Sequence, residues 1–332
     1  MAEPRVAVLA GGRSSEHEVS LLSAQAVVEG LQAAGLEAWT VEIDRDGVWR
    51  ADGRELVLTP GRGLDGADVV FPALHGPFGE DGVVQGALET LGVAYVGSGV
   101  EASALCMNKV LCKALTGANG FVQVDYVGVA ARAWQARRGE LLERCAALGL
   151  PVFVKPARLG SSVGIEKVAE ETALAAAIER ALGHDELVIV EAASTGREIE
   201  CGVLELAGGE LAASPPGQIE FEREFYDYDA KYSPGGMRLT VPAAIPEALA
   251  GRVRESALRA FELAGCEGLA RIDFFVEGDR VLLNEINTMP GFTPFSVYAK
   301  LVGAGGVEYP ELVRGLCERA LERHARRGAI SY

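Results

Sequence analysis

The stretch VLLNEINTMPGFTP, Val281 to Pro294, begins as a strand and ends in oxygen donors. Val281, Leu282 and Leu283 are apolar, yet Asn284, Glu285 and Asn287 follow before the break at Pro290-Gly291. A carboxylate and carboxamides in a buried strand are costly unless paired, hydrogen-bonded or bound to a metal. The preceding run LARIDFFVEGDR, Leu269 to Arg280, alternates as well, so the two read as a β-hairpin. Alternation puts Arg271, Asp273 and Phe275 on one face of the first strand, and Val281, Leu283, Glu285 and Asn287 on one face of the second. A three-residue connection sets Asp273 opposite Glu285 and Arg271 opposite Asn287, and this odd-length loop is the expectation. A two-residue connection would pair Asp273 with Asn284 and send Glu285 to the other face. Two carboxylates and a carboxamide on one face suit magnesium, which takes hard oxygens and leaves room for substrate phosphates. The competing reading is an arginine–carboxylate network that only ties the strands together.

Composition narrows what such a site can serve. The chain has 332 residues, 49% hydrophobic and 23% charged, enough for two or three domains with well-buried cores. No apolar run approaches the roughly 18 residues of a membrane span, and MAEPRVAVLAGG is too short in apolar character for a secretory signal. A cytoplasmic protein with no membrane partner is expected. The formal net charge of −16 argues against nucleic acid as a partner, because phosphate contacts call for a basic face. An acidic protein that handles anions needs a local basic pocket or a divalent metal. Cys106, Cys112, Cys145, Cys201, Cys266 and Cys317 are scattered without a CxxC pair and read as reduced, buried thiols. His17, His75, His184 and His324 lack HExxH spacing, so a zinc enzyme is not expected.

Along the chain, RVAVLAGG reads as a buried strand, EVSLLSAQAVVEGLQAAG as an amphipathic helix and EAWTVEID as the next strand. ADVVFPALHG and GVVQGALETLG repeat the pattern. Residues 1–102 therefore read as an open, mainly parallel α/β sheet with ligand loops at strand C-terminal ends. Residues 103–190 read as a small α+β unit: a helical segment through Lys109, two strands around a glycine-serine turn, the helix ETALAAAIERALG and the strand ELVIVEAA. Residues 191–332 form a second α+β unit with short strands, the helix PEALAGRVRESALRAFELAG, the hairpin and a terminal helix. Residues 215–236, rich in Pro, Gly and charge, read as a long lid-like loop that orders on ligand binding.

Three further clusters can carry chemistry. In VKPARLGSSVGI, Lys155 ends a strand, and Gly160, Ser161, Ser162 and Gly164 offer backbone N–H groups and hydroxyls to phosphate oxygens. The bland reading is a tight hairpin with a surface lysine. In GGRSSEHEVS, Glu16 stands just before a helix start, where backbone donors and a carboxylate can grip a zwitterion. The alternative is a cap built from Ser14, Ser15 and Glu18. His75, in LHGPFGEDG, reads equally as a hydrogen-bonded loop residue or a catalytic one.

Taken in order, GGRSSEHEVSL, ALHGPFGEDGVVQG, YVGSGVEASALCMNK, VKPARLGSSVG, FYDYDAKY, ARIDFF and NEINTMPGFTPFS resemble the D-alanine:D-alanine ligases of the ATP-grasp superfamily over essentially the whole chain. The resemblance implies an N-terminal α/β domain and two α+β domains that clasp ATP. It also implies the reaction: ATP phosphorylates the carboxylate of one D-alanine, and the amine of a second attacks the acyl phosphate. By the same resemblance, Lys109 and Lys155 hold ATP phosphates, Glu198 the ribose, and Glu191 lies at the adenine hinge, with Ser161, Ser162, Asn284 and Glu285 as further nucleotide contacts. Asp273, Glu285 and Asn287 would ligate two magnesium ions, manganese being an alternative and potassium a further monovalent ion. Glu16 would bind the first D-alanine's ammonium, with His75 near its carboxylate. Arg271 and the backbone N–H of Gly291 would form the oxyanion site, and Ser296 would hold the second D-alanine's carboxylate. Ser161 and Tyr232, linked to Glu16, would close the FYDYDAKY loop, with Lys231 reaching the phosphates. A homodimer supplying peptidoglycan precursor is implied too. After Glu191, AASTG replaces the lysine and bulky apolar residue common at this hinge, which leaves adenine to backbone groups. A D-alanine:D-lactate ligase or another amino-acid ligase is the alternative, and Tyr232 is the feature read as favouring the dipeptide.

Overall fold

The computed structural model describes residues 3–160, 163–205, 207–221 and 237–331, so Ser161, Ser162, Lys231 and Tyr232 lie outside the described residues. The first sheet contains β1 (Arg5–Gly11), β2 (Glu37–Ile43), β3 (Trp49–Ala51), β4 (Arg54–Glu55), β5 (Val69–Pro72) and β6 (Ala94–Tyr95), in the order β4-β3-β2-β1-β5-β6. Central β1 runs parallel to β2 and β5, and its residues after Arg5 are all buried, as a strand covered on both faces must be. β3 and β4 add an antiparallel edge that the sequence reading did not separate. α1 (His17–Ala33) and α2 (Val83–Leu91) flank the sheet, with Glu16 at the N-cap of α1.

α3 (Val100–Met107) and α4 (Lys109–Ala118) replace the single helical segment expected around Lys109. Asn108 leaves helical geometry (ψ 93°), and its side chain accepts a hydrogen bond from Leu111 N at 3.2 Å, so an N-cap starts a new helix. The second sheet, β7 (Tyr126–Ala130), β8 (Val152–Pro156), β9 (Glu166–Val168) and β10 (Leu187–Ala192), is antiparallel in the order β7-β10-β8-β9. α5 (Ala131–Ala146) and α6 (Glu171–Leu182) pack on it. α5 went unread in the sequence: it is polar, and non-helical geometry at Arg137 interrupts the spacing of its buried Trp134, Leu141 and Cys145.

The third sheet is β14 (Met237–Thr240), β13 (Gly217–Phe221), β11 (Arg197–Glu205), β15 (Leu269–Glu277) and β16 (Arg280–Asn287), with β12 (Leu211–Ala213) paired to β11. Part of the expected 215–236 loop is therefore strand, since Gly217–Phe221 pairs with both β11 and β14. α7 (Glu247–Leu263) packs under this sheet; α8 (Val297–Ala304) follows the hairpin, and α9 (Tyr309–Gly328) returns to cover the first sheet.

The hairpin corrects the sequence reading in an instructive way. Glu277 pairs with Arg280, so the turn has two residues, Gly278 and Asp279, and not three. Pairing stays in that register to Phe274 opposite Leu283, then shifts, and Asp273 stands opposite Glu285 with Arg271 opposite Asn287. Asn284 is the extra residue of a β-bulge. The expected pairs form, but the bulge makes them and the loop does not.

Past β16 the chain is pinned by Phe292, fully buried among Phe71 of β5, Tyr298 of α8 and Tyr309 of α9 at centroid distances of 5.1, 5.7 and 6.1 Å. Tyr309 Oη also donates to the Phe292 carbonyl at 2.6 Å. We predict that Phe292→Ala lowers unfolding stability by about 3–5 kcal/mol in urea titration, because the cavity opens where three elements meet. A loss well below this range would mean that the aromatic cluster does not anchor the segment.

Candidate active site

The bulge sets up one polar sheet face lining the cleft between the second and third sheets. Arg271 Nε and Nη2 donate to Asp273 Oδ1 and Oδ2 at 2.8 and 2.7 Å, and Nε lies 2.9 Å from Glu200 Oε2. Asn287 Nδ2 donates to Asp273 Oδ2 at 2.9 Å. Lys109, the first residue of α4, reaches over from the far wall: its Nζ is 3.5 Å from Glu285 Oε2 and donates to the Leu159 carbonyl at 2.9 Å. Burial alone would lower the Arg271 pKa, but Asp273 and Glu200 reverse this and raise it well above its ordinary value. The guanidinium is thus a fixed cation held in place by two carboxylates.

Among the described residues no three His, Cys, Asp or Glu side chains form a self-sufficient metal site. The donor set nonetheless fits magnesium: two carboxylates at directly opposed positions of one face, with a carboxamide beside them, are hard-oxygen ligands that leave the remaining positions to phosphate oxygens. Arg271, Lys109 and Asn287 supply the compensating contacts to these groups in the structure.

The opposite wall is the second sheet. Lys155 on β8 and Glu191 on β10 line the cleft, and Lys155 Nζ is 2.5 Å from Glu191 Oε2. The other oxygen, Oε1, is 3.1 Å from Lys113 Nζ of α4. Burial alone would push the Glu191 carboxyl up, but the two lysines hold it down to about 2. Glu198 and Glu200, on one face of β11, complete the floor beside Arg271 and Asp273.

A second group adjoins this cleft. Glu16 is 5% exposed, and a Cβ added to Gly160 would meet its Oε2 at 3.0 Å; one added to Gly76 would clash with the same oxygen. Glycine at both positions lets the His75 loop and the Gly160 loop close on Glu16. Ser14 Oγ donates to the His75 carbonyl at 2.7 Å and accepts from Glu16 N at 3.2 Å, and Glu16, the N-cap residue of α1, makes no capping hydrogen bond with its side chain. The His75 ring lies between Ser23 Oγ (2.9 Å from Nε2) and the Met289 carbonyl (3.3 Å from Nδ1). A carbonyl only accepts, so Nδ1 carries the proton; burial lowers the ring's pKa, with Glu16 acting against it. Glu80 lines the cleft and accepts from Gly76 N at 2.7 Å; burial first, and Glu16 second, push its carboxyl up to about 8. Gly291 approaches Ser296, whose Oγ accepts from Thr293 N at 3.0 Å at the N-terminus of α8.

Lys109, Lys155, Glu191, Glu198, Arg271, Asp273, Asn284, Glu285 and Asn287 thus share one cleft, while Glu16, His75, Gly291 and Ser296 sit apart from its lining. Lys113, Glu80 and Glu200 were missed. Lys113 was readable as a second lysine one turn after Lys109 on an otherwise apolar helix face, and Glu200 as Glu198 plus two in a strand. Nothing local in GEDG distinguishes Glu80 from a loop carboxylate.

The comparisons fit this geometry. The family model for the D-ala D-ala ligase C-terminus matches residues 115–318, and that for the N-terminus matches residues 5–63 and 57–98. The chain is 44% identical over 366 residues to the D-alanine--D-alanine ligase of Kineococcus radiotolerans, covering 97% of both proteins. It is also 44% identical to that of Deinococcus radiodurans, covering 96% of this chain and 98% of that protein. Among solved structures, the D-alanine-D-alanine ligase of Coxiella burnetii superposes with a TM-score of 0.86 at 34% identity, covering 99% of this chain and 97% of that one. The VanG D-Ala:D-Ser ligase of Enterococcus faecalis gives 0.85 at 33%, covering 96% and 100%. The fold is the ATP-grasp fold, and with both halves matched the chain belongs to the D-ala D-ala ligase family.

Proposed function

We propose that this protein joins two D-alanine molecules into D-alanyl-D-alanine, converting ATP to ADP and phosphate. The observation that carries the reading is the convergence of Lys109, Lys155, Arg271, Asp273, Glu285 and Asn287 on one cleft, in a chain 44% identical over nearly its whole length to proteins of that name. The first carboxylate takes the terminal phosphoryl group; the second molecule's amine attacks the carbonyl carbon, and the tetrahedral adduct expels phosphate as the amide forms.

In this reading Lys109 and Lys155 hold phosphates, Glu198 takes the ribose, and Ser162 and Asn284 add nucleotide contacts. Asp273, Glu285 and Asn287 hold magnesium, which when bound neutralises charge on the transferring phosphoryl group. Arg271, fixed by Asp273 and Glu200, and Gly291 N–H face the oxyanion; preorganised donors of this kind need no rearrangement as the charge develops. Glu16 takes the first ammonium, with His75 near the first carboxylate. Glu80, neutral at pH 7, adds no second negative charge beside Glu16. Ser296, at a helix N-terminus, receives the second carboxylate. Ser161, Lys231 and Tyr232 close the site so that water does not reach the acyl phosphate. The enzyme works in the cytoplasm as a homodimer and supplies peptidoglycan precursor. Manganese substitutes for magnesium, and potassium serves as an accessory ion.

The structural relative named as a D-Ala:D-Ser ligase makes the second substrate the point to test. ADP release measured with D-alanine alone, with D-alanine plus D-serine or D-lactate, and with L-alanine should give D-alanyl-D-alanine as the main product at pH 7.5. Predominance of D-alanyl-D-serine or the ester would overturn the assignment. Tyr232→Phe should erode the preference of amine over hydroxyl by roughly 0.5–1.5 kcal/mol, the usual worth of one hydrogen bond.

Chelation should abolish ADP release, and added magnesium should restore it; turnover that survives chelator would remove the metal role of Asp273, Glu285 and Asn287.

The Glu80 carboxyl is raised in the folded state, so the stability it confers is complete below the unfolded value near 4.5 and is lost as pH climbs towards about 8. Glu80→Gln, permanently neutral, should therefore gain on the wild type in thermal or urea unfolding between pH 5 and 8, with a slope of at most about 1.4 kcal/mol per pH unit. A difference that does not vary with pH would show that Glu80 is ionised in the native state.

A further inference from the structure

Lys113 takes no part in the reaction read above and does not reach the cleft surface, yet its side chain is among the most buried charges of the chain at 3% exposure. It sits one helical turn after Lys109, behind Glu191 as seen from the cleft. Its Nζ is 3.1 Å from Glu191 Oε1 but off the line of a hydrogen bond, and among the described residues that nitrogen has no aligned acceptor. The Tyr126 ring lies beneath it at 6.0 Å. An ammonium buried with so few acceptors is expensive, and a well-packed apolar side chain would commonly be as stable or more so. Packing alone therefore gives a poor account of it.

Its charge gives a better one. Glu191 is 3% exposed and lies between two ammonium groups, with Lys155 at 2.5 Å on the cleft side. One carboxylate and two lysines leave the cluster with a net charge of +1. Without Lys113, Lys155 and Glu191 would form a neutral one-to-one pair, and the carboxylate would hold the lysine's charge for itself. With Lys113 present, Glu191 is already compensated from behind.

We propose that Lys113 is a positioning residue for nucleotide binding, which shares the Glu191 carboxylate so that the charge of Lys155 remains available to the phosphates of a nucleoside triphosphate. The proposal rests on the reading that Lys155 is a phosphate ligand. Glu191 accordingly remains an ionised spacer between two cations, consistent with a carboxyl that the lysines hold down to about 2 despite its burial.

The test is suppression. ATP affinity is measured calorimetrically for wild type, Lys113→Met, Glu191→Gln, the Lys113→Met/Glu191→Gln double variant and Lys155→Met, with the KM for D-alanine followed in parallel. Lys113→Met should weaken ATP binding by about tenfold, the scale of a coupling between touching charges, and leave the D-alanine KM unchanged. Introduced into the Glu191→Gln background, where no carboxylate is left to claim Lys155, Lys113→Met should change ATP affinity by no more than about twofold. An equal loss from Lys113→Met in the wild-type and Glu191→Gln backgrounds, or a D-alanine KM that moves with ATP affinity, would overturn the proposal in favour of a purely structural lysine. Lys113→Gln keeps a hydrogen-bond donor but removes the charge. It should reproduce the loss, and wild-type affinity there would also overturn the proposal, so the question stays answerable if Lys113→Met does not fold. Lys155→Met separates the two levels: if ATP binding survives it, the reading of Lys155 itself fails, whatever Lys113 does.

Discussion

One extra residue on β16, absorbed as a bulge opposite Asp273 and Phe274 of β15, decides where the acids of the cleft point. A two-residue turn at Gly278-Asp279 would set Asn284 against Asp273 and turn Glu285 to the other face of the sheet, because a one-residue slip inverts every side chain beyond it. The bulge at Asn284 absorbs that residue, leaves Leu283 opposite Phe274 in the apolar part of the hairpin, and delivers Glu285 and Asn287 to the face that carries Asp273 and Arg271. One face of the hairpin, with Ile272, Phe274, Leu283 and Ile286, thus belongs to the hydrophobic core, and the face with Arg271, Asp273, Glu285 and Asn287 to the cleft. Bulges recur beside active sites because they re-aim side chains without breaking the strand pair.

With its acids converged, the cleft has to hold them together. Cations from three elements meet the acids: Asp273 and Glu200 are met by Arg271 of β15, Glu285 by Lys109 of α4, and Glu191 by Lys155 of β8 and Lys113 of α4. A chain with a net charge of −16 can in this way offer a triphosphate a locally cationic wall.

The segment after β16 carries the link to the first sheet. Phe292 is locked between β5, α8 and α9, the His75 ring bridges Ser23 to the Met289 carbonyl, and Glu16 lies against Gly160. Arg323 of α9 donates to the carbonyls of Tyr95 and Gly97 while facing Glu267, so the last helix fastens the first sheet to the entry of β15. Glu16, His75 and the segment after β16 meet at this junction, so the aromatic cluster anchors all three.

Much of this was legible in the sequence because periodicity and glycine breaks are local signals. The strand–helix alternation before residue 100, the helices at 171–182 and 247–263, and the face shared by Arg271 and Asp273 follow from residues a few positions apart. The long motifs, taken in order, also identified the family. α5 was hidden by its polar composition and its irregular turn at Arg137, and Gly217–Phe221 by the Pro, Gly and charged residues around it. Tertiary structure alone decided the rest. Register depends on where the extra residue is absorbed, and the pairing energy of both strands settles that; no count of loop residues can. The carboxyl of Glu80 rises because burial and Glu16, 64 positions away in the chain, meet at one point. Lys113, an ordinary helix lysine in the sequence, becomes a buried charge facing Glu191 because the fold brings that position of α4 within reach of β10.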